Sequence, residues 1–254
     1  MSFSPSPHDL RRAVDAHLGA FLNEKRALLP DGAPLIDEMT RMLGAGGKRL
    51  RPSFCVWGYR AAGGHQDDRI VAAAASLELL HTFALVHDDI MDVSDERRGL
   101  PTTFAQHGVN VALLAGDLAL VLADACLMES GSDAASLGRA FVAYSRMRQE
   151  VIVGQYLDVK AGERQVISVE EARRIAVLKS GRYSVEEPLL IGAALAGADD
   201  DFTARLQAFG APLGEAFQLR DDLLGSFGDR SSVGKPVDSD IREGKRNVLF
   251  AYAA

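Results

Sequence analysis

The sequence predicts an all-α protein built as a single-domain helical bundle. Helix-forming Ala, Leu, Glu and Arg dominate the chain, and its apolar residues recur at helical spacing. No run of alternating β-branched residues is bounded by the Asn-Gly or Asp-Gly turns that mark β-hairpins. Several predicted helices are long and joined by short connections, which is typical of bundles whose sites form between facing helices.

Turn-forming residues divide the chain into nine predicted helices. The turn at 30–32 separates the first two helices, the glycines at 44–47 precede the third, and Gly63 and Gly64 end it. Turns at 99–101 and 131–133 flank the fifth helix. The helices span residues 9–29, 34–43, 52–62, 67–96, 111–130, 133–162, 169–180, 183–196 and 200–225. Because there is no internal repeat, low-complexity block or linker, we expect residues 1–254 to form one domain.

The composition narrows the class of protein and its location. The chain has 254 residues, 47% of them hydrophobic and 25% charged, and its net charge of −7 argues against nucleic acid as the main partner. Its two cysteines fit neither a disulfide framework nor a metal-ligand spacing, and residues 1–7 lack the layout of a signal peptide, so we expect a cytoplasmic protein. The most apolar run, residues 111–128, is interrupted by Asp117 and Asp124, which predicts a buried core helix and no transmembrane segment.

An acidic motif, HDDIMD at 87–92, follows an apolar helical stretch and contains Asp88, Asp89 and Asp92. Residues i and i+4 share a helix face, so Asp88 and Asp92 project together. Their like charges repel, and a bound cation would neutralise them. Carboxylates without cysteine or a paired histidine suit Mg²⁺. Alone, the motif is equally consistent with a solvated acidic helix end.

Two basic clusters lie before and after this acidic motif in the chain. The first is GGKRLRP at 46–52, in which two glycines allow close approach of a ligand and Pro52 predicts the start of a helix, where free N–H groups favour anions. Three cations gather there: Lys48, Arg49 and Arg51. In the second cluster, Arg97 and Arg98 can bind phosphate oxygens in a bidentate manner. A solvated basic turn and an arginine-stabilised helix end are the respective alternatives.

A second acidic pair, Asp221 and Asp222, lies on another predicted helix and is followed by Lys235 and Lys245. Two acidic helix sites imply metal ions, and two separate basic clusters imply two anionic substrates. No Ser-His-Asp or Cys-His arrangement indicates a nucleophile. The combination predicts a metal–polyphosphate site that assists a leaving group without a covalent enzyme intermediate.

The order of GGKRLRP, HDDIMD with RRG, GQYLD, KSG, QLRDD and EGKR resembles the trans-isoprenyl diphosphate synthases of the polyprenyl synthetase family, from about Gly46 to Lys245. The resemblance implies an all-α bundle around a deep central cavity, usually a homodimer. It implies Mg²⁺-dependent, head-to-tail condensation of isopentenyl diphosphate with an allylic diphosphate. The expected product is geranylgeranyl diphosphate, with farnesyl diphosphate as the alternative.

The resemblance also implies a role for each matching residue. Asp88 and Asp92 would bind Mg²⁺ on the allylic diphosphate, Asp221 would bind a third Mg²⁺ from the opposite wall, and Asp222 is a further metal candidate. The diphosphate of isopentenyl diphosphate would contact Lys48, Arg51, His81 and Arg98. The allylic diphosphate would contact Arg97, Lys179, Lys235 and Lys245. The reacting centre would be lined by Gln155, Asp158, Ser180 and Gln218. Asp89 is expected to play a supporting part.

Product length is expected to depend on Phe83 and Ala84, about one helical turn before Asp88. One aromatic beside a small residue resembles the geranylgeranyl-producing pattern, and we expect Phe83→Ala to lengthen the product. A purely packing role for Phe83 is the alternative. The chain departs from the family in having Gly225 where many short-chain members have a third aspartate. It also ends at Ala254, so we expect it to lack the family's last C-terminal helices.

Two other classes of protein share part of this pattern. A class I terpene cyclase also uses an acidic helix motif, but it takes one diphosphate and has no need of GGKRLRP. Its second motif usually continues with a carboxylate where this chain has Arg230. A non-catalytic regulatory subunit of a heteromeric synthase would be expected to lose aspartates from the first motif, and this chain keeps all three.

Overall fold

The structure, a computed structural model, describes residues 7–65, 68–228 and 244–253. These ranges contain ten α-helices, a 3₁₀ turn (Pro30–Gly32), a π-helix (Val177–Glu186) and one antiparallel hairpin of two short strands, β1 (Glu96–Arg97) and β2 (Leu100–Pro101). The helices are α1 (Pro7–Leu28), α2 (Ala33–Gly44), α3 (Leu50–Ala61), α4 (Asp68–Met91), α5 (Thr103–Met128), α6 (Ala134–Gly162), α7 (Val169–Ala176), α8 (Glu187–Leu195), α9 (Asp200–Phe227) and α10 (Val248–Ala253). The predicted all-α fold is confirmed.

Helix α4 is the centre of the bundle. It packs along the length of α5 and also contacts α1, α2 and α3. Residues 70–80 are buried without interruption, which is possible because this stretch is apolar on nearly every face. The surrounding helices therefore hold α4 from several sides and fix the position of the aspartates near its C-terminal end.

Glycines allow two pairs of helices to pack with their backbones in contact. A side chain at Gly58 of α3 or Gly192 of α8 would collide with the backbone of the other helix. Gly181 of the π-helix and Gly214 of α9 form a second contact of this kind. Only glycine permits so close an approach, so these residues fix the distance between the helices that surround the site.

The structure differs from the sequence prediction where α4 ends and α5 begins. Helix α4 was expected to run to residue 96 but ends at Met91, and Val93 has a left-handed backbone (φ 51°) that starts the turn into the hairpin. Helix α5 was expected from residue 111 but begins at Thr103, because the Thr102 side chain accepts a hydrogen bond from the backbone N–H of Ala105. Gly108 (φ 79°) adds a kink that interrupts the helical pattern of the sequence.

A further difference lies at residues 177–186, where the sequence suggested a break between two helices. The chain instead continues from α7 to α8 through the π-helix, and Gly181 there packs against α9. Arg182 anchors the segment by pairing with Glu150 of α6 at 2.6 Å, Glu186 at 3.2 Å and Glu187 at 3.1 Å. The gap predicted at residues 181–182 is therefore not a break, because Gly181 packs on α9 inside a continuous helical segment.

Helix α5 was predicted to be a buried core helix, and this holds for one face only. By length and apolar composition both α4 and α5 could cross a membrane. In the most apolar 18-residue stretch of each helix, 78% is buried inside the protein for α4 but only 44% for α5. The outward face of α5 exposes Leu114, Val121 and Met128, which lie seven residues apart and so form one stripe. This face is apolar yet has no covering element in the described chain.

Candidate active site

One cavity of about 220 Å³ opens between α4, α6, α7, the π-helix and α9. Its walls combine charged and apolar side chains. Eleven of the predicted site residues line it: Arg51, His81, Ala84, Asp88, Gln155, Asp158, Lys179, Ser180, Gln218, Asp222 and Lys245. Residues from distant parts of the sequence thus meet in one place.

The acidic end of α4 faces the cationic and amide groups of two other elements. The carboxylate of Asp88 accepts hydrogen bonds from Gln155 Nε2 at 3.1 Å and from Lys179 Nζ at 3.2 Å. Lys179 Nζ also donates to Asp158 at 2.6 Å. Burial works to lower the pKa of Lys179, but Asp88 and Asp158 outweigh it and raise the pKa, so the ammonium stays charged. The π-helix thus presents a cation to two carboxylates.

Asp89 and Asp92 have different surroundings from Asp88. Asp89 is 1% exposed, and the guanidinium of Arg97 donates to it at 2.6 and 2.8 Å while lying 3.5 Å from Asp88. Asp92 lies 3.3 Å from Lys245 Nζ. Arg97, which the resemblance assigns to the allylic diphosphate, is therefore bound to Asp89 in this structure. Lys235, assigned to the same ligand, lies outside the described residues.

Arg51, His81 and Tyr183 form the cationic wall of the cavity. Arg51 Nη2 donates to Ser184 Oγ at 2.8 Å, and its guanidinium stacks over the Tyr183 ring at 4.3 Å. The Nε of Arg51 is buried and has no hydrogen-bond partner among the residues described. His81 Nδ1 lies 3.1 Å from the Tyr183 hydroxyl. A buried donor without a partner beside a cavity is a place where an anion can bind.

The electrostatic environment of His81 shows how much positive charge gathers at this wall. Burial lowers the pKa of His81 well below its usual range. Four guanidinium groups act in the same direction: Arg51, Arg98, Arg97 and Arg49. The imidazole is therefore neutral at physiological pH and can offer a hydrogen bond without adding to the charge.

The remaining residues of the two basic clusters lie at different depths. Lys48 is exposed, and Arg98 Nη1 donates to the backbone carbonyl of Gly46. Arg49 was grouped with Lys48 and Arg51 as part of a cationic turn, but the structure corrects this grouping. Its side chain is 4% exposed and paired with Glu78 and Asp15, and its backbone is left-handed at this residue.

The second acidic pair lies near the C-terminal end of α9. Asp222 lines the cavity and accepts a hydrogen bond from Gln218 Nε2 at 2.7 Å. Partial desolvation raises the pKa of Asp221, while the charges of Lys48, Arg51 and Arg220 oppose the rise. Of this pair, only Asp222 lines the cavity.

The donor chemistry of these aspartates fits Mg²⁺. No group of three or more His, Cys, Asp or Glu side chains converges on one point in the described part of the chain. Mg²⁺ is usually held by one or two carboxylates, several waters and the phosphates of a substrate, so it does not need such a cage. Asp88 on α4 and Asp92 just after it, with Asp221 and Asp222 on α9, supply hard oxygen ligands of this kind.

The two residues expected to control product length differ in position. Ala84 lines the cavity. Phe83 is 9% exposed and belongs to the main core, where its ring meets the His87 ring edge-on at 4.8 Å between centroids. A ligand in the cavity would therefore contact Ala84 directly, whereas Phe83 lies in the core and does not line the cavity.

Sequence reasoning missed three residues that shape the site. Tyr183 contacts His81 and Ser184 binds Arg51, and their signal was their place four and five residues after Lys179 on a helical segment. Glu78 neutralises Arg49 from inside the core, three residues before His81 on the same helix face. Because Glu78 lies in an apolar stretch, only its burial reveals its part in the site.

The fold and the site together define a class, the helical bundles of the isoprenoid synthase type. Residues 33–254 match the polyprenyl synthetase family, and the chain belongs to that family. A geranylgeranyl diphosphate synthase of Sulfolobus acidocaldarius is 39% identical over 226 residues, 86% of this chain and 66% of that protein. A (2E,6E)-farnesyl diphosphate synthase of Mycobacterium tuberculosis is 39% identical over 206 residues, 81% of this chain and 56% of that protein.

Solved structures agree with this assignment. The geranylgeranyl pyrophosphate synthase of Corynebacterium glutamicum, complexed with isoprenyl diphosphate and magnesium, superposes with a TM-score of 0.94 at 38% identity. The superposition covers 98% of this chain and 77% of that one. The geranylgeranyl pyrophosphate synthetase of Pyrococcus horikoshii is similar, with a TM-score of 0.80 at 31% identity over 96% of this chain and 75% of that one.

Proposed function

We propose that this protein is a Mg²⁺-dependent prenyltransferase that condenses isopentenyl diphosphate with an allylic diphosphate, with geranylgeranyl diphosphate as the product. One observation carries the proposal. A single cavity joins the cationic wall around Arg51 and His81 to the acidic end of α4 at Asp88. A cation-rich wall needs an anionic ligand, and paired carboxylates need a cation, so a metal–diphosphate complex satisfies both.

The two diphosphates bind at opposite sides of the cavity. Arg51 uses its unpartnered Nε, and neutral His81 donates a hydrogen bond, to hold isopentenyl diphosphate together with Lys48 and Arg98. Lys179 pairs with Asp88 and Lys245 pairs with Asp92. Both lysines hold the allylic diphosphate on that side of the cavity. Arg97 and Lys235 are assigned to the same ligand.

The chemistry breaks one bond and forms another. The allylic C–O bond breaks, and its electron pair stays on the departing diphosphate. The double bond of isopentenyl diphosphate supplies the pair for the new C–C bond, and a proton leaves the adjacent carbon to the released diphosphate. Gln155, Gln218 and Ser180 place fixed dipoles beside the developing cation. The cavity walls exclude water that would otherwise capture the cation.

The carboxylates of Asp88 and Asp92, with Asp221 and Asp222 on α9, hold Mg²⁺ in this proposal. Magnesium bound there supplies the Lewis acidity that stabilises the charge of the departing diphosphate. Asp89 does not take part directly, because its carboxylate is committed to Arg97. Asp89 holds Arg97 beside Asp88 and so supports the metal site indirectly.

The product assignment rests on Ala84, which leaves room in the cavity about one turn below Asp88. The relatives include synthases of both geranylgeranyl and farnesyl diphosphate, so the farnesyl product is the alternative. A non-catalytic regulatory subunit is an alternative from a different class. Such a chain would make no product alone and would change the rate of a partner synthase.

We further propose a cytoplasmic homodimer. The two cysteines are free and buried, as expected for a reducing compartment. The exposed stripe on α5 (Leu114, Val121 and Met128) is matched on α6 by an exposed stripe at helical spacing, formed by Ile152, Tyr156 and Val159. Asp124 of α5 and Arg148 of α6 are paired, so the two helices are neighbours. A second copy would cover this apolar surface.

The test is incubation with isopentenyl diphosphate and dimethylallyl, geranyl or farnesyl diphosphate, with Mg²⁺ or with EDTA. We expect chain elongation only with Mg²⁺, with a C20 diphosphate as the end product. Asp88→Asn should lower the rate at least ~100-fold, as loss of a charge-stabilising group does. Asp201→Asn, at an exposed aspartate of α9, should have no effect. No condensation by the wild-type chain with any primer would contradict the proposal.

A further inference from the structure

Arg49 occupies an unusual position between two residues assigned to diphosphate binding. It lies next to Lys48 and two residues before Arg51, yet it is 5% exposed and turns inward. Its backbone is left-handed (φ 49°, ψ 43°) at the residue that precedes α3. A bulky side chain rarely adopts this conformation, and such strain persists only where surrounding contacts impose it.

The contacts that impose the conformation join four parts of the bundle. The guanidinium of Arg49 donates to Asp15 of α1 at 2.7 Å, to Glu78 of α4 at 2.9 Å and to the carbonyl of Leu43 in α2 at 2.7 Å. Its own backbone carbonyl accepts the hydroxyl of Ser53 in α3 at 2.8 Å. Glu78 is 4% exposed, so this is a buried, charge-assisted network that uses the full fork of an arginine.

The same guanidinium lies against the backbone of the basic loop. A Cβ atom on Gly47 would be 2.9 Å from Arg49 Nη1 and 3.5 Å from Arg98 Nη1. Arg98 comes from the β-hairpin, also has a left-handed backbone (φ 56°), and donates to the carbonyl of Gly46. Two strained arginines from distant segments therefore pack on one glycine, and between them they fix the path of the loop.

We propose that Arg49 and Glu78 are a positioning pair that holds the basic loop, and with it Lys48, Arg51 and Arg98, in the arrangement that binds isopentenyl diphosphate. This inference rests on the proposed function. The pair does not touch substrate. Glu78 anchors the loop to the same turn of α4 that carries His81. Helix α4 therefore sets the position of the basic loop and of His81 relative to each other.

A purely structural role would stabilise the packing of α1 and α4 without favouring either substrate. The contacts of Arg49 argue against this. Beyond its ion pairs with α1 and α4, its guanidinium binds the carbonyl of Leu43 and lies against Gly47 of the basic loop. Removal of the pair should therefore weaken binding of isopentenyl diphosphate and leave binding of the allylic diphosphate nearly unchanged.

The experiment compares Arg49→Lys, Glu78→Gln and the milder Asp15→Asn; the Asp15 carboxylate is partly exposed, so its loss should not prevent folding. Arg146→Met is the matched control, since Arg146 of α6 pairs with the fully buried Glu187 of α8 and not with the basic loop. For each variant, KM is measured for both substrates together with kcat, the melting temperature and the calorimetric affinity for inorganic pyrophosphate.

We expect KM for isopentenyl diphosphate to rise at least ~tenfold in Arg49→Lys and Glu78→Gln, and about threefold in Asp15→Asn, as for loss of charge-assisted contacts. KM for the allylic substrate should change less than about twofold, and Arg146→Met should lower only the melting temperature. Equal changes for both substrates, or none in Asp15→Asn, would overturn the inference. If the wild type makes no product, the proposed function fails, and the pyrophosphate affinities of the same variants still decide the role of Arg49.

Discussion

At the scale of single residues, Lys179 lies where the cationic and acidic parts of the site meet. Its ammonium is within 2.6 Å of Asp158 and 3.2 Å of Asp88, so it neutralises a carboxylate that is assigned to Mg²⁺. We expect Lys179→Met to raise the affinity of the ligand-free protein for Mg²⁺ about tenfold, because a competing cation is removed, while turnover falls at least ~tenfold.

Calorimetric titration with Mg²⁺ alone would measure the change in affinity. Lys160→Met is the matched control, because Lys160 lies on the exposed side of α6 and pairs only with Glu163 among the described residues. An unchanged or lower Mg²⁺ affinity in Lys179→Met would show that Lys179 does not compete for Asp88.

The neutral state of His81 gives a prediction about pH. Its pKa is lowered in the folded protein, so on acidification the unfolded chain takes up a proton before the native state does. The stability conferred by the neutral ring is therefore complete above about pH 6.5 and declines below it. Urea unfolding should show a loss of ~1 kcal/mol at about pH 5.5 that is absent from His81→Gln. His65→Gln, at an exposed histidine, should keep the wild-type pH dependence.

Ala84 and Phe83 make separate predictions about product length. Ala84 lines the cavity, so Ala84→Phe should fill it and shorten the product, an outcome that chromatography of the extended products would detect. Phe83→Ala should lengthen the product if removal of the buried ring lets the chain extend past His87. If Ala84→Phe leaves the product unchanged, the growing chain does not run along this part of α4.

At the scale of secondary-structure elements, the contact between α6 and the π-helix decides whether the site is assembled. Gly154 of α6 packs directly on Lys179, and a Cβ there would lie 2.7 Å from the Lys179 Cα. Gln155 on α6 and Lys179 on the π-helix both reach Asp88 because the two backbones are this close.

We expect Gly154→Ala to push the π-helix away, to destabilise the protein by about 1–3 kcal/mol and to lower turnover at least ~tenfold. Gly138→Ala is the control on the same helix, since its Cβ would point into open space. It should stabilise the protein by about 0.5–1 kcal/mol, because alanine loses less entropy in a helix than glycine does. Equal behaviour of the two variants in denaturation and turnover assays would contradict the importance of this contact.

At the scale of the whole molecule, the exposed apolar stripes of α5 and α6 predict the oligomeric state. Val121 is 61% exposed at the middle of the α5 stripe, so Val121→Glu would place a charge inside an interface between two copies. We expect the wild type to be a dimer and Val121→Glu a monomer by light scattering coupled to size-exclusion chromatography. Leu28→Glu, at an exposed residue ending α1, should remain dimeric. A monomeric wild type would refute the proposed dimer.

Local chemistry explains why much of the molecule was predictable. Periodic apolar residues and turn signals locate most of the long helices, and the motif residues Asp88, Lys179 and Gln155 meet in one cavity as expected. The predictions were wrong where a residue had a tertiary function in place of its local preference. Gly181 packs on α9 and does not end a helix, and Val93 takes a strained conformation that redirects the chain.

The sequence by itself determined the all-α class, the family and the set of charged residues, because helical periodicity and the order of the motifs are local properties of the chain. Only the tertiary structure decided which charges face the cavity and which face the core. Arg49 and Arg51 are two residues apart, yet the first is fixed inward by Glu78 while the second lines the cavity. Burial and pairing depend on neighbours distant in sequence, and these exist only once the helices have packed.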